Sequence, residues 1–270
     1  MNRINSQLSN DQINSINTLI DEVSARQNSD FGNIISDIKP DGTLITECDR
    51  WSDLKIVNGL SNIAPNEGVL SEEGSKKVPD SSSFWVVDPL DGTTNFSAGI
   101  PYWAISIARI QNGFPQTSFL EIPALKKRIV AIRNKGVWIN GKEITQKTRL
   151  SSQSACISLC SRSIKVLQRK PNKHFPGKIR LLGVSSLNMI SVGIGQTKAA
   201  LEATPKIWDL ASAWLVLSEL GCPIKWLDLD PSKVVSGEDL ASVSFPLLTA
   251  NSITQLEELL PWGEALMQNA

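Results

Sequence analysis

The sequence predicts a mixed α/β (α+β) fold in two halves, and three observations lead to this prediction. Helix-type and strand-type apolar patterns alternate along the chain, which is typical of layered α/β proteins. Of the 270 residues, 41% are hydrophobic and 20% are charged, a balance that suits a sizeable core. A segment at 143–178, rich in serine, lysine and glutamine, separates the patterned regions. We therefore expect an N-terminal half at residues 1–145 and a C-terminal half at residues 146–270, joined in one compact unit.

Two amphipathic helices are predicted near the start of the first half. Residues 11–26 place four apolar side chains on one helical stripe: Ile13, Ile16, Ile20 and Val23. A second helix is expected at 47–63, and four residues are predicted on its inward face: Trp51, Leu54, Val57 and Leu60. Thr46 and Asp49 have the spacing of a capping box at the start of this helix.

A run of bulky apolar residues at 84–87 follows, without any charge among them. Such a run predicts a strand buried on both faces. Because proline cannot donate to a sheet, Pro89 predicts that the strand stops near Asp88. Further strands are predicted at 102–110, 118–123, 127–134 and 136–140, and the pair Asn140-Gly141 predicts a tight hairpin turn.

The second half alternates predicted strands with predicted helices. The strand-type segments are 178–183, 198–203, 223–229 and 245–251. A helix with a serine cap is expected at 185–196. A helix at 205–221 would have Pro205 in its first turn and Gly221 at its end. Residues 252–268 predict a closing helix or helix pair.

The charge balance and cysteine usage exclude several classes of function. Lys plus Arg and Asp plus Glu are both 27, so no basic excess points to a nucleic acid. No apolar run is long enough to span a bilayer, and the polar N-terminus lacks a signal-peptide core. Four cysteines are scattered through the chain without metal-binding spacing. We expect a cytoplasmic protein with reduced cysteines that binds neither nucleic acid nor a membrane.

A single histidine, His174, limits the chemistry further. It excludes sites that need two histidine ligands, such as common zinc sites. A Ser-His-Asp triad would depend on His174, and no serine lies in a G-x-S-x-G motif. Carboxylates and other oxygen ligands are therefore the expected catalytic groups.

Several acids lie at the ends of predicted elements: Glu72, Glu73, Asp88, Asp91 and Asp209. If they converge, their repulsion would require cations, and Mg²⁺ prefers such oxygen ligands. Successive N–H groups at 92–94 could bind phosphate oxygens. Structural alternatives remain open at this point, since Asp209 would favour a helix dipole, Asp49 would cap a helix, and the glutamates could be solvated loop charges.

Several motifs, in order, resemble the inositol monophosphatase family. The stretch WVVDPLDGTTNF at 85–96 is similar to the first family signature, and WDLASAWLVLSELG at 208–221 is similar to the second. Shorter matches are DGTLITECD at 41–49, LSEEG at 70–74 and LLTAN at 247–251. The resemblance extends from about residue 39 to 252.

The resemblance implies roles for particular residues. The residues implied for metal binding are Glu72, Asp88, the Leu90 carbonyl, Asp91 and Asp209. The residues implied for catalysis are Asp49 and Thr93, which would activate the attacking water, and Glu72. The backbone of Gly92, Thr93 and Thr94 would hold phosphate. The substrate pocket would contain Asp91, Gly183, Ser185, Glu202 and Asp209, and Lys39 would lie in a loop that completes the metal site.

The family also implies an activity and a fold. These are a Mg²⁺-dependent phosphatase, with two or three ions, in a layered αβαβα sandwich of the sugar-phosphatase type, commonly a homodimer. Gly-Thr-Thr-Asn-Phe at 92–96 favours an inositol monophosphate as substrate. Fructose 1,6-bisphosphate, histidinol phosphate and 3′-phosphoadenosine 5′-phosphate are alternatives, as is an inactive binding protein. Departures from the second signature at Ser212, Ala213 and Cys222 predict altered packing near the site without loss of metal. Ser71 replaces a family glycine and predicts a changed loop geometry around Glu72.

Overall fold

A computed structural model describes residues 7–33, 35–39, 42–145, 155–169 and 173–268. Helices and sheets stack in the order αβαβα, which confirms the predicted fold class. The boundary expected between residues 145 and 146 adjoins a segment outside the described residues, so the division into halves stays a prediction. No helix in the described part of the chain has the length and apolar character needed to cross a membrane.

A seven-stranded sheet forms the second layer. Its strands, in spatial order, are β3 (Gly68–Ser71), β4 (Ser83–Asp91), β5 (Ala104–Gln111), β6 (Phe114–Ile122), β7 (Lys127–Ile132), β8 (Gly136–Ile139) and β9 (Lys142–Ile144). Only the pairing of β3 with β4 is parallel within this sheet. Asn140 and Gly141 connect β8 to β9 with positive φ angles of 49° and 76°, which confirms the predicted hairpin turn.

Two helices and a short hairpin form the first layer. The helices are α1 (Asn10–Asp30) and α2 (Glu47–Ile63), and the hairpin strands are β1 (Ser36–Ile38) and β2 (Leu44–Thr46). The capping box of Thr46 and Asp49 is present as predicted. The predicted inward face of α2 is wrong at Leu54, which is 63% exposed. Ile56 is fully buried instead, because the face that packs against α1 and the sheet follows the four-residue spacing from Ser52 to Ile56 and Leu60.

Beyond the first sheet lie a middle helix layer, a second sheet and an outer helix layer. The second sheet has the order β11 (Lys178–Arg180), β10 (Cys156–Leu159), β12 (Ala199–Glu202), β14 (Leu247–Ala250) and β13 (Ile224–Trp226). The remaining helices are α3 (Thr93–Ser97), α4 (Lys165–Arg169), α5 (Ser185–Gly193), α6 (Ile207–Glu219) and α7 (Ile253–Met267). Helices α5 and α6 lie between the sheets, whereas α4 and α7 cover the outer face of the second sheet.

Three local predictions for the helices need correction or completion. The N-cap of α5 is Val184 without a side-chain hydrogen bond, so the predicted serine cap is wrong. Pro205 precedes the N-cap residue of α6, Lys206, and therefore lies outside its first turn. The closing segment is one helix, α7, which contains Pro261 in its interior.

The strand β4 does not stop at Asp88, contrary to the prediction from Pro89. It continues to Asp91, and its pairing with β5 shifts register between Asp88 and Asp91. A bulge leaves residues out of the hydrogen-bond ladder, so the missing N–H of proline costs no ladder bond there. The strand therefore continues through Pro89 at the bulge instead of ending there.

Candidate active site

The end of β4 presents two acids on this bulge. Asp88 and Asp91 are 1% and 8% exposed, and the backbone N–H of Leu90 donates to Oδ1 of Asp88 at 3.0 Å. Gly92 follows with a φ of 103° and begins α3, a conformation that residues with a Cβ rarely adopt. A Cβ at Gly92 would lie 2.8 Å from Cγ2 of Val184. The turn is therefore closed tightly against the start of α5.

A third acid reaches this bulge from the middle helix layer. Asp209 lies in the first turn of α6, where its Oδ2 accepts a 2.7 Å hydrogen bond from the backbone N–H of Lys206. One carboxylate oxygen from each of Asp88, Asp91 and Asp209 lies within 4.8 Å of the other two. The structure thus brings Asp209 to two acids that precede it by more than 100 residues in the sequence.

Burial and mutual repulsion both act on these carboxylates. Burial raises the pKa of Asp88 well above its usual range, and the charges of Glu72 and Asp91 raise it further. Burial, followed by the charges of Asp91 and Glu72, likewise raises the pKa of Asp209 well above its usual range. Burial also raises the pKa of Asp91, although hydrogen bonds from Ser186 oppose this shift. Protons or cations would stabilise such a cluster, because either would reduce its repulsion.

Glu72 and Glu73 lie beside this cluster and share one lysine. Nζ of Lys39 is 3.0 Å from Oε1 of Glu72 and 2.6 Å from Oε1 of Glu73. Burial raises the pKa of Glu72 to about 7, against the charge of Lys39. Glu72 is not part of the group of carboxylates whose oxygens lie within 4.8 Å of one another, which contains only the three aspartates. Its charge nevertheless raises the pKa of Asp88 and of Asp209. Its role as a metal ligand stays a prediction.

Asp49 and Thr93 form a hydrogen-bonded pair in which the threonine hydroxyl donates to the carboxylate. Oγ1 of Thr93 lies 2.8 Å from Oδ1 of Asp49 and 3.2 Å from the carbonyl oxygen of Leu90. The other oxygen of Asp49 accepts hydrogen bonds from the backbone N–H of Thr46, at 2.8 Å, and from its hydroxyl. Burial raises the pKa of Asp49, while hydrogen bonds from Thr46 and Thr93 oppose the shift. Both neighbours of the Thr93 hydroxyl are acceptors, so its oxygen stays available to accept a proton from a water molecule.

The predicted substrate pocket has a buried acid at its base. Glu202 is 1% exposed and accepts hydrogen bonds from the Ser185 hydroxyl at 2.9 Å and from the Asn188 amide at 2.8 Å. Burial raises the pKa of Glu202 to about 8, against these hydrogen bonds. The backbone N–H of Ser186 donates to Oδ2 of Asp91 at 2.7 Å. The start of α5 therefore connects the pocket acid to the acid cluster.

Gly92, Thr93 and Thr94, the residues that the resemblance implies for phosphate contacts, lie at the start of α3. Their binding of phosphate stays a prediction. The first N–H groups of a helix have no partner within it and point toward its N-terminal side. Thr94 and Gly183 both line a cavity of about 550 Å³ that also contains Ser185, Glu202 and Asp209. A second cavity, of about 950 Å³, contains Lys39, Glu72 and Asp209.

Gln27 of α1 contacts the backbone between Asp88 and Asp91, and the sequence patterns did not single it out. Its side chain is fully buried in α1. The amide donates to the carbonyl oxygen of Pro89 at 2.8 Å and to Oγ of Ser52 at 3.2 Å, and it accepts from Nε1 of Trp103 at 2.9 Å. A glutamine on the inward stripe of an amphipathic helix was the available signal. Ser186 and Asn188 were also missed, although both lie in the first turn of α5, next to the predicted site residue Ser185.

Two of the four departures from the family signatures have a visible structural role. Oγ of Ser71 accepts from the backbone N–H of Gly74 at 2.9 Å and shapes the loop that carries Glu72. Ser212 is fully buried in α6, where its hydroxyl accepts a 2.8 Å hydrogen bond from Ser106 of β5. Ala213 and Cys222 are buried in the same core.

Taken together, these groups provide clustered carboxylate oxygens beside a polar, partly enclosed space. Hard divalent cations prefer oxygen ligands of this type, and the crowded acids gain most from a cation because they repel one another. The Asp49–Thr93 pair can accept a proton nearby, and the cavity floor offers hydrogen-bond partners for hydroxyl groups. The arrangement is suited to transfer of a group that carries concentrated negative charge.

Comparisons with known proteins agree with this chemistry. The chain matches the inositol monophosphatase family over residues 9–255. A Thermotoga maritima protein named fructose-1,6-bisphosphatase/inositol-1-monophosphatase is 28% identical over 184 residues, 66% of this chain and 69% of the relative. A Mycobacterium tuberculosis histidinol-phosphatase is 32% identical over 203 residues, 71% of this chain and 77% of the relative. The solved structure of an IMPase/NADP phosphatase complexed with Mg²⁺ and phosphate has a TM-score of 0.77 at 23% identity, covering 96% of this chain and 97% of that one.

Proposed function

Because the chain belongs to the inositol monophosphatase family and is a phosphoric monoester hydrolase, we propose that it hydrolyses an inositol monophosphate, such as myo-inositol 1-phosphate, with Mg²⁺ as cofactor. The observation that carries the proposal is the convergence of Asp88, Asp91 and Asp209 within 4.8 Å, beside the hydrogen-bonded pair of Asp49 and Thr93. Acids held this close are suited to bind cations and, with them, the phosphate of a substrate.

The residues fit Mg²⁺ by the chemistry of their donor atoms. All the proposed ligands are hard oxygens: Glu72, Asp88, the Leu90 carbonyl, Asp91 and Asp209. Their number suits two or three ions. When bound, Mg²⁺ would supply Lewis-acid stabilisation of negative charge on the phosphoryl oxygens.

The chain itself would supply proton transfer and orientation. Thr93 would accept a proton from the attacking water on Oγ1 while its own hydroxyl proton passes to Oδ1 of Asp49, 2.8 Å away. Burial favours this step, because it raises the pKa of Asp49 and makes the carboxylate a stronger base. Thr46 holds the other carboxylate oxygen in place. No histidine is needed, which agrees with the single histidine of the chain.

Binding of the two ends of the substrate would fall to different elements. The N–H groups at the start of α3, from Gly92, Thr93 and Thr94, would hold phosphate oxygens. At the other end, Glu202 and Ser185 would bind a substrate hydroxyl, with Asp91, Asp209 and Gly183 lining the same pocket. A pocket acid that is largely protonated below a pKa of about 8 could donate as well as accept a hydrogen bond.

Phosphate release across a panel of substrates tests this proposal. The panel contains myo-inositol 1-phosphate, fructose 1,6-bisphosphate, histidinol phosphate and 3′-phosphoadenosine 5′-phosphate, each with Mg²⁺ and with EDTA. Metal-dependent turnover that is highest for inositol 1-phosphate is the expected result. Asp88→Asn should abolish it, whereas Asp228→Asn, at an exposed position, should not. A maximum on another ester would refute the substrate, and metal-independent turnover would refute the cofactor.

Fructose 1,6-bisphosphate is the second candidate substrate, because the Thermotoga maritima relative carries both activities in its name. We further propose that the protein acts as a cytoplasmic homodimer. Sedimentation of the purified chain should give twice the mass of 29.5 kDa, and a monomer at micromolar concentration would contradict the dimer. Fractionation of cells tests the location.

A further inference from the structure

The two cavities above the acid cluster meet at one basic side chain. The residues that line both are Thr43, Arg162, Thr204 and Asp209. Arg162 is the one cation in this shared set, and it is exposed at the rim. Arg162 is therefore the cation next to a substrate that extends from one cavity into the other.

The backbone that carries Arg162 is fixed to the strand that carries the pocket acid. Arg162 lies in a short 3₁₀ helix, Ser161–Ile164, directly after β10. The hydroxyl of Ser163 donates to the carbonyl oxygen of Leu201 at 2.8 Å, and the backbone N–H of Ala203 donates to Sγ of Cys160 at 3.3 Å. These contacts flank Glu202 on β12. The position of Arg162 relative to the pocket is thus set by a buried framework.

The charge of Arg162 has no carboxylate partner among the described residues. Its hydrogen bond is to the neutral hydroxyl of Thr204, at 3.2 Å from Nη1. Two other cations of the larger cavity have carboxylate partners, since Lys39 contacts two glutamates and Arg50 lies 3.0 Å from Asp37. Its two other lysines, Lys76 and Lys206, do not line the smaller cavity. A guanidinium has five N–H donors in a planar fork that matches phosphate or carboxylate. The hydrogen bond to Thr204 uses one of these donors, and the residue lines both cavities.

We propose that Arg162 forms a second anion subsite, which binds a phosphate or carboxylate of the substrate other than the phosphate that is cleaved. The inference rests on the proposed phosphatase site and adds a class of substrate: esters with a second anionic group. The cleaved phosphate is assigned to the acid cluster and α3, so it does not use Arg162. A substrate with only hydroxyl groups beyond that phosphate would leave the guanidinium in water, whereas a second anion would gain a bidentate, charge-assisted contact.

Steady-state kinetics on two substrates test the subsite. For fructose 1,6-bisphosphate, Arg162→Gln should raise KM about tenfold with kcat within about twofold, because uniform binding is lost. For inositol 1-phosphate, both constants should stay within about twofold of the wild type. Arg162→Lys, which keeps the charge without the fork, should give an intermediate KM for the bisphosphate. Arg180→Gln, an exposed arginine outside both cavities, should change neither substrate.

The other possible outcomes distinguish a failure of the subsite from a failure of the proposed function. Equal losses on both substrates would show that Arg162 binds the cleaved phosphate or supports the fold, and unchanged constants on both would show that it binds no anion; either overturns the proposal. If folded wild-type protein hydrolyses neither ester, the proposed function fails on its own. Calorimetric binding of fructose 1,6-bisphosphate to wild type and Arg162→Gln then decides: weaker binding by the variant supports the subsite, and equal binding overturns it.

Discussion

Replacing Asp88 with asparagine should stabilise the metal-free protein while it abolishes activity. The three acid oxygens lie within 4.8 Å of one another, and at an effective dielectric constant of about 20 two unit charges at that distance repel by about 3–4 kcal/mol. Asp88→Asn removes two such pairs with almost no change in shape. Oδ1 of the amide can still accept the hydrogen bond from Leu90.

The measurable gain should be smaller than the full repulsion. Burial and neighbouring charge raise the pKa of Asp88, Asp91 and Asp209, so the wild-type cluster already binds protons that relieve part of the strain. We therefore expect a gain of about 1–3 kcal/mol in the free energy of unfolding at pH 8. It should shrink as the pH falls, because the wild-type acids then become protonated.

Urea unfolding of both proteins in EDTA, followed by repetition in millimolar Mg²⁺, measures this directly. Without metal, the variant should have the higher midpoint at an unchanged slope. With Mg²⁺, the wild type should gain stability and the variant should gain less. Asp228→Asn controls for the loss of one exposed negative charge. A variant less stable than the wild type in EDTA would refute the reasoning, since it would show that local contacts stabilise the ionised carboxylate by more than its neighbours repel it.

Three further predictions follow from the packing and charge around the site. Gln27→Leu should cost about 2–5 kcal/mol in unfolding free energy, since it orphans a buried carbonyl and an indole N–H. Gln116→Leu, at a partly exposed position of β6, should cost below about 0.5 kcal/mol. Similar losses from the two variants would contradict this role of Gln27. Gly92→Ala should lower the thermal unfolding midpoint more than Gly99→Ala. Both glycines have a positive φ, but only the Cβ added at position 92 would contact neighbouring atoms. Equal shifts would show that backbone strain alone, without this contact, sets the loss. Burial raises the pKa of Glu202 to about 8 from the usual 4.5, so the metal-free protein should lose stability as pH rises from about 5 to 8. Glu202→Gln should flatten this dependence of the unfolding free energy on pH, measured by urea unfolding. An unchanged dependence in the variant would argue against the raised pKa.

Local patterns in the sequence were sufficient for most elements, because the signals involve only neighbouring residues. The capping box of Thr46 and Asp49 and the Asn140-Gly141 turn follow from spacing and backbone preference alone. The inward face of α2 was wrong at Leu54 because two rows of apolar residues fit a helical stripe, and only the packing partner selects one. The predicted end of β4 at Asp88 was wrong for a related reason, since the bulge that accommodates Pro89 depends on the pairing of β4 with β5.

The candidate site could be predicted as a set of acids but not as an arrangement. Motif similarity supplied Asp88, Asp91 and Asp209, whose proximity depends on how α6 docks against β4. The contact from the Ser186 N–H to Asp91 involves backbone, which carries no sequence signature. The amide network of Gln27 joins three elements, so a single residue in a helical pattern could not reveal it.

The long chain separation between Asp91 and Asp209 has a consequence for how the protein is made. A ribosome delivers the β4 turn well before it delivers α6, so the nascent chain holds two of the three acids for many seconds without the third. During that interval a divalent ion has only a partial ligand set to hold. Responsiveness to Mg²⁺ should therefore arise late in synthesis, after α6 has emerged and docked. Protection of stalled nascent chains by Mg²⁺ against a protease would report that α6 has docked against β4.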